Sequence, residues 1–482
     1  MKKEERIQVS FGTSGWRGVI ADDFTFEHVR VVTQAISEVV KKTEHPQIVI
    51  GYDSRFMAED FSKVIAEVLC GNEIKVFLCD MPTPTPVIAY SILNHAWDGG
   101  INVTASHNPA HYSGMKFNGK SGGPALPEIT GAIEKEIDKV FHGKKSIKRE
   151  RLPEASRRGL FESFDPREPY FQAIREKIDF ERIRSIDLRV TMDLMYGAGN
   201  NYLDVLVKEA LGERTKEELI AIHDFRDPYF GGYRPEPDSK RMEELGRRVV
   251  QKGHHLGIAV DGDADRFGVC DEDGDFVPPN EFLALVAWHL FKNKGLKGNI
   301  ARSIATSHQI DKVASEYGGE TIVTPVGFKF IGERIISDHL VMGGEESGGL
   351  SIQNHIPEKD GIIACLLALE MIAYEEKPLS QIRQELKKAF GTFFSSRKDL
   401  HLESNAQKME LMDFFREMPG FAGYEFTEKW TMDGYGYLLQ TEDSNSWVLA
   451  RSSGTEPLVR IYLESTSKEI FDKMNTEVDR II

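Results

Sequence analysis

Cysteine is scarce in this chain: four in 482 residues, Cys70, Cys79, Cys270 and Cys365. They have neither Cys-x-x-Cys spacing nor the density of a secreted disulfide scaffold, so buried free thiols in a reducing compartment are the simplest account. Long apolar runs are missing too; none approaches the ~18 residues of a membrane span. The start, Met1-Lys2-Lys3-Glu4-Glu5-Arg6, is charged with no apolar segment behind it. The expectation is therefore a soluble, unexported, cytoplasmic protein without a membrane partner. Basic charge is short as well: 60 Lys and Arg face 76 Asp and Glu, leaving a net charge of −16. Such a chain has no general attraction to nucleic acid, and any phosphorylated ligand must meet a local basic pocket. No low-complexity segment occurs.

What is present is length enough for about three or four domains. Three successive regions alternate short Val/Ile-rich runs with helical patterns, the rhythm of parallel strands joined by crossover helices. The runs are Gln47–Gly51, Ile74–Leu78 and Gly99–Val103, then Leu188–Met192 and Leu256–Val260, then Ile300–Ile304 and Thr321–Thr324. Helices are expected at about 58–69 and 362–374. Phe141–Arg158, rich in charge, reads as a solvated connector, and Asp271–Pro279 as a turn-rich break. After about Arg397 a helix near 406–418 and the runs Tyr435–Leu439 and Trp447–Ala450 suggest a smaller α+β domain.

Thr104-Ala105-Ser106-His107-Asn108-Pro109 follows a strand and places a hydroxyl at a strand-to-loop junction, where open α/β sheets bind ligands. An ST-turn would use the same residues for local backbone bonds. Val260-Asp261-Gly262-Asp263-Ala264-Asp265-Arg266 carries three aspartates at alternating positions after a strand. They can converge on magnesium or calcium, and clustered carboxylates repel unless a cation neutralises them. No bidentate Glu follows, which sets the stretch apart from an EF-hand loop. Arg451-Ser452-Ser453-Gly454-Thr455-Glu456-Pro457 suits a phosphate nest. Gly343-Gly344-Glu345-Glu346-Ser347-Gly348-Gly349 offers carboxylates and a hydroxyl for sugar hydroxyls, and Phe11 to Gly18 places Arg17 in a glycine-rich loop. Plain turns account for each of these three equally well. Asp53-Ser54-Arg55 and Lys329 add basic groups at strand ends, and Lys116 lies ten residues after Ser106; singly, each reads as solvated surface.

Together these loops resemble, in order along nearly the whole chain, the α-D-phosphohexomutase superfamily of phosphoglucomutases and phosphomannomutases. The resemblance implies three similar mixed-sheet α/β domains, at 1–150, 151–273 and 274–394, and a smaller C-terminal α+β domain at 395–482, around a central cleft. It implies transfer of phosphate between the 1- and 6-positions of a hexose through a phosphoserine and a bisphosphorylated sugar. Ser106 would carry the phosphoryl group. Asp261, Asp263 and Asp265, with a phosphate oxygen on Ser106, would hold Mg2+. Lys116 would be general base or acid, Arg17 and Arg266 would stabilise the phosphoryl group, and His107 would sit beside the carrier. Lys329, Glu345 and Ser347, with Arg451, Ser453, Gly454 and Thr455, would bind the substrate. A hexose 1,6-bisphosphate would be the activator and a small sugar phosphate the only partner, with the protein a monomer or homodimer.

Gly-Glu-Glu-Ser-Gly, Thr-Pro-Val-Gly-Phe-Lys and Glu358-Lys359-Asp360-Gly361 resemble the phosphoglucomutases more than the phosphomannomutases or phosphoglucosamine mutases. Gly349 stands where the dual-specificity enzymes have histidine, and Ser452 where a proline is common. Glucose phosphate is the favoured substrate. The competing readings are a sugar-phosphate binding protein without turnover and a metal-dependent phosphatase.

Overall fold

A computed structural model describes residues 9–12, 15–212, 218–441, 445–454 and 457–481. Its first sheet contains β1 (Trp16–Val19), β2 (Gln47–Tyr52), β3 (Lys75–Cys79), β4 (Gly99–Val103), β5 (Tyr112–Gly119) and β6 (Phe161–Phe164), in the order β1-β5-β4-β2-β3-β6. The second holds β7 (Val190–Asp193), β8 (Leu219–Ile222), β9 (Leu256–Val260), β10 (Phe267–Cys270) and β11 (Phe276–Val277), in the order β11-β10-β9-β7-β8. The third holds β12 (Ile300–Ser303), β13 (Thr321–Thr324), β14 (Met342–Glu345) and β15 (Gly349–Ile352), in the order β13-β12-β14-β15.

These three sheets repeat one plan. Two parallel strands flank a first one, and the third strand of the unit turns back through an antiparallel partner: β4 into β5, β9 into β10, β14 into β15. The sheets are therefore mixed, as the resemblance implies, although the βα rhythm alone suggests parallel ones, because a hairpin needs no crossover helix. The Ser106 loop, the Asp261 loop and the Glu345 loop all occupy this same hairpin, at the carboxyl end of the third parallel strand.

Two of the expected domain limits fall inside sheets. Residue 150 precedes β6, which pairs with β3, and residue 273 precedes β11, which pairs with β10. Within the expected connector, the Glu150 amide donates to the Glu67 carbonyl and Ala155 is buried, so this charged segment is strapped to the first sheet's helix Ala58–Gly71.

The second and third sheets share one apolar core. At its centre lies the helix Gly361–Glu375, capped by the Asp360 carboxylate on the amides of Ile362 and Ile363. Its first 13 residues are buried, which is why its sequence is apolar all round rather than on one stripe. The first sheet and the tail have separate cores. The tail is a six-stranded antiparallel sheet, β16 (Phe394–His401), β17 (Gly420–Phe421), β18 (Tyr424–Trp430), β19 (Tyr435–Leu439), β20 (Ser446–Ser452) and β21 (Leu458–Ser465), in the order β16-β21-β20-β19-β18-β17, with helices Asn405–Glu417 and Lys468–Ile481. It meets the third region through Ile304, Ala305, Trp447, Leu449 and Tyr462. All four cysteines are buried and free, and no helix among the described residues is long and apolar enough to cross a membrane.

Candidate functional site

Ser106 ends the turn after β4 with φ 49°, a left-handed conformation that a serine adopts only when its surroundings hold it. Its amide donates to Thr104 Oγ1 at 2.8 Å, and its hydroxyl donates to Asp261 Oδ2 at 2.8 Å and lies 3.3 Å from His107 Nδ1. Burial and the charges of Arg266, Arg17, Arg234 and Lys116 hold the His107 pKa well below the usual histidine range, so the imidazole beside the serine is neutral. Gly262 lets the second region approach: a Cβ there would come within 2.8 Å of the Ser106 carbonyl and 2.9 Å of Pro235.

The hairpin of β4 and β5 pairs Asn102 with Lys116 and so carries the lysine back beneath the serine loop. Lys116 is 3 % exposed, with Nζ 2.6 Å from Asp263 Oδ2 and 2.7 Å from Asp265 Oδ2. Burial works against its charge, yet the two carboxylates outweigh it and raise the Lys116 pKa. The same pairing lowers Asp263 and Asp265 against burial and mutual repulsion. Asp261 has no such cation in contact among the described residues, and burial with the repulsion of Asp263 and Asp265 raises it well above the carboxylate range.

The three aspartates fit a metal ion. One ligand oxygen from each lies within 4.8 Å of the others, and Asp263 Oδ1 and Asp265 Oδ1 are buried without a hydrogen-bond partner. Their other oxygens are oriented by Thr85, which donates to Asp263 at 2.6 Å, and by Lys359, 2.9 Å from Asp265. An all-oxygen set with open positions suits magnesium. Arg17 donates to Asn108 Oδ1 at 2.6 Å, and Arg266 pairs with Glu236 at 2.9 Å while its Nε lies 4.0 Å from Asp265.

The sugar-loop candidates split. Glu345 is 5 % exposed, accepts the Gly327 amide at 2.7 Å, and is raised to about 7 by burial and the neighbouring Glu346. Ser347 is half-buried on the hairpin turn. Glu346 accepts from Ser303 Oγ at 2.8 Å. Gly349 has a steric reason: a Cβ there would run into the Lys359 side chain, which fills the space a histidine would need. Arg451 pairs with Asp433 at 2.7 Å, and the same carboxylate accepts the Val326 amide and faces Lys329. Ser453 is buried with its amide on the Leu458 carbonyl, and Gly454 is exposed. Arg451, Asp433 and Lys329 thus come together where the tail meets the third region. Thr455 lies outside the described residues.

Sequence reasoning gave no role to Thr85, Glu236, Glu358 and Lys359, and it read Arg55 as surface charge. Arg55 is instead fully buried under the serine loop. Glu358 and Lys359 were visible only as part of a short motif; nothing in their spacing to Asp265, almost a hundred positions earlier by the chain, reveals the contact.

Models of the phosphoglucomutase/phosphomannomutase family match the chain in four parts: α/β/α domain I at residues 8–143, domain II at 168–274, domain III at 278–390 and the C-terminal domain at 438–481. The chain belongs to this family, within the α-D-phosphohexomutase superfamily. It is 29% identical over 463 residues, 95% of both chains, to the phosphoglucomutase/phosphomannomutase of Thermococcus kodakarensis. It is 30% identical, over 98% of this chain and 97% of the other, to a protein of Pyrococcus abyssi named probable phosphoglucosamine mutase. A crystal structure from Thermus thermophilus, assigned as a phosphomannomutase, superimposes with a TM-score of 0.83 at 31% identity, covering 98% of each chain. The chain is a phosphohexomutase-type enzyme, an isomerase.

Proposed function

We propose that this enzyme moves a phosphoryl group between the 1- and 6-positions of a hexose, glucose phosphate being preferred, with Ser106 as the carrier. The observation that carries the reading is the Ser106 hydroxyl, 2.8 Å from Asp261 and held in a left-handed turn beside the Lys116–Asp263–Asp265 cluster.

Asp261, Asp263 and Asp265 would hold Mg2+. Such an ion neutralises charge on the transferring phosphoryl group. Lys116, held protonated by Asp263 and Asp265, gives its proton to the sugar oxygen released when the phosphoryl group passes to Ser106, and takes one from the attacking hydroxyl in reverse. Arg17 and Arg266 flank the phosphoryl position, and neutral His107 can hydrogen-bond the serine oxygen without competing for the charge. Glu345 and Ser347 meet sugar hydroxyls. Arg451, Ser453, Gly454 and Thr455, with Lys329, bind the phosphate that does not react. A hexose 1,6-bisphosphate primes Ser106, and the compartment is the cytoplasm. The three limits between the four domains are proposed near 164, 277 and 393, after β6 and β11 and before β16.

Glucosamine phosphate is the second reading, favoured by the Pyrococcus abyssi relative. Purified protein with magnesium and a trace of bisphosphate should convert glucose 1-phosphate to the 6-phosphate faster than the mannose or glucosamine esters. Ser106→Ala should lose both turnover and the covalent phosphate seen by intact mass. Free inorganic phosphate in place of isomer would point to a phosphatase, and no turnover of any hexose phosphate would defeat the enzyme reading.

A further inference from the structure

We propose that Arg55 is a positioning residue that sets the aim of the carrier serine. The proposal rests on Ser106 being the phosphoryl carrier. A guanidinium has five N–H donors in a rigid fork. In Arg55 all five are used, and four of them go to main-chain carbonyls of one loop. Nη2 donates to the Ser106 carbonyl at 2.6 Å and the Asn108 carbonyl at 2.7 Å. Nη1 donates to the carbonyls of Pro109 at 2.8 Å and Tyr112 at 3.0 Å. Nε donates to Asp53 Oδ2 at 3.0 Å.

That carboxylate oxygen also accepts from Thr104 Oγ1 at 2.6 Å, and the same Thr104 oxygen accepts the Ser106 amide at 2.8 Å. The amide and the carbonyl of Ser106 are thus both anchored to one Asp53–Arg55 pair. This is what the left-handed turn requires, because a serine at φ 49° relaxes unless its surroundings fix it. The Phe230 ring, 4.9 Å from the guanidinium carbon, closes the clamp from the second region, so the loop is held against the region that carries the aspartates. The arginine has no donor left for a ligand phosphate. Its effect on the reaction passes through Ser106.

Lysine retains the charge but offers three donors from a point, and cannot span four carbonyls. Arg55→Lys should therefore phosphorylate Ser106 from glucose 1,6-bisphosphate, followed by intact mass in a single turnover, about 100-fold more slowly than the parent, the cost of roughly 1 Å of misplacement. The KM for glucose 1-phosphate should stay within about threefold, since the sugar and distal phosphate contacts are untouched. Thr104→Val, which removes the Ser106 amide's acceptor but keeps shape, should show the same split. Guanidinium ion should restore part of the rate to Arg55→Ala and none to Thr104→Val. A parental single-turnover rate in folded Arg55→Lys or in Thr104→Val overturns the inference, as does a loss confined to KM. If the parent itself takes no phosphate on Ser106, it is the carrier assignment that fails, a result read before any variant is made.

Discussion

Lys116→Met tests how the acidic cluster is kept together. The substitution leaves side-chain length nearly unchanged but removes the ammonium that touches both Asp263 and Asp265, at 2.6 and 2.7 Å. All three groups are almost fully buried. Breaking a buried pair from one side costs roughly 3–5 kcal/mol, because the stranded charges stay out of water. At about 2–4 °C per kcal/mol for a domain of this size, the melting temperature in chelator should fall by roughly 6–20 °C. Millimolar magnesium should then raise the variant's melting temperature by more than it raises the parent's, since among the described residues Asp263 is left with no cation in contact and Asp265 with Lys359 and the more distant Arg266, and the ion supplies the missing counter-charge. Turnover should be lost even where stability recovers. Differential scanning fluorimetry of both proteins, with and without magnesium, reads all of this. A drop smaller than about 2 °C, below what a single kcal/mol produces, with equal magnesium shifts in the two proteins, would refute the idea that Lys116 and a divalent ion share these carboxylates.

On the proposed role, Glu345, raised to about 7 by burial and Glu346, accepts from sugar hydroxyls more strongly once it ionises. The parent's kcat/KM should therefore climb as pH rises through about 7, and Glu345→Gln should lower it and remove that limb; an identical pH profile in the variant contradicts the role. His308 is pushed down to about 4 by burial and by Arg302, below its ordinary 6.5. The unfolded chain takes up that proton first, so stability is full above 6.5 and is lost as pH falls toward 4, by about 2 kcal/mol near pH 5. Urea unfolding followed through Trp447, whose ring stacks on His308 at 5.4 Å, should show this loss in the parent and a flatter pH dependence in His308→Gln.

Local patterns carried most of the fold. β4, β9, β13 and β19 lie where the apolar runs end to end suggest, and the helix at 361–375 runs one residue past its expected range at each end. Contacts between distant parts were harder. The serine loop and the aspartate loop each stood out because chemistry-bearing residues cluster within a few positions. Arg55 could not, since its partners are carbonyl groups fifty positions away and carry no side-chain signature. Lys359 was hidden for the same reason: an ion pair between regions leaves no periodicity to read. Mixed sheets were implied by the resemblance and not by the local rhythm, because Phe267–Cys270 and Gly349–Ile352 follow their loops too closely to form a separate pattern.

The common core of the second and third sheets has a consequence for how this enzyme measures its substrate. The Phe267 amide donates to the Gly348 carbonyl, tying the strand after the aspartate loop to the Glu345 hairpin, and the Gly361 amide donates to the Ala264 carbonyl, tying the aspartate loop to the start of the helix 361–375. On the proposed function, the separation of the two loops would act as a gauge. On the proposed reaction, both ends of a bisphosphorylated sugar must fit this one gauge in turn. Selection by molecular span then belongs to the joint between two sheets, and a substitution deep in the helix 361–375 can alter which sugars fit without touching any of them.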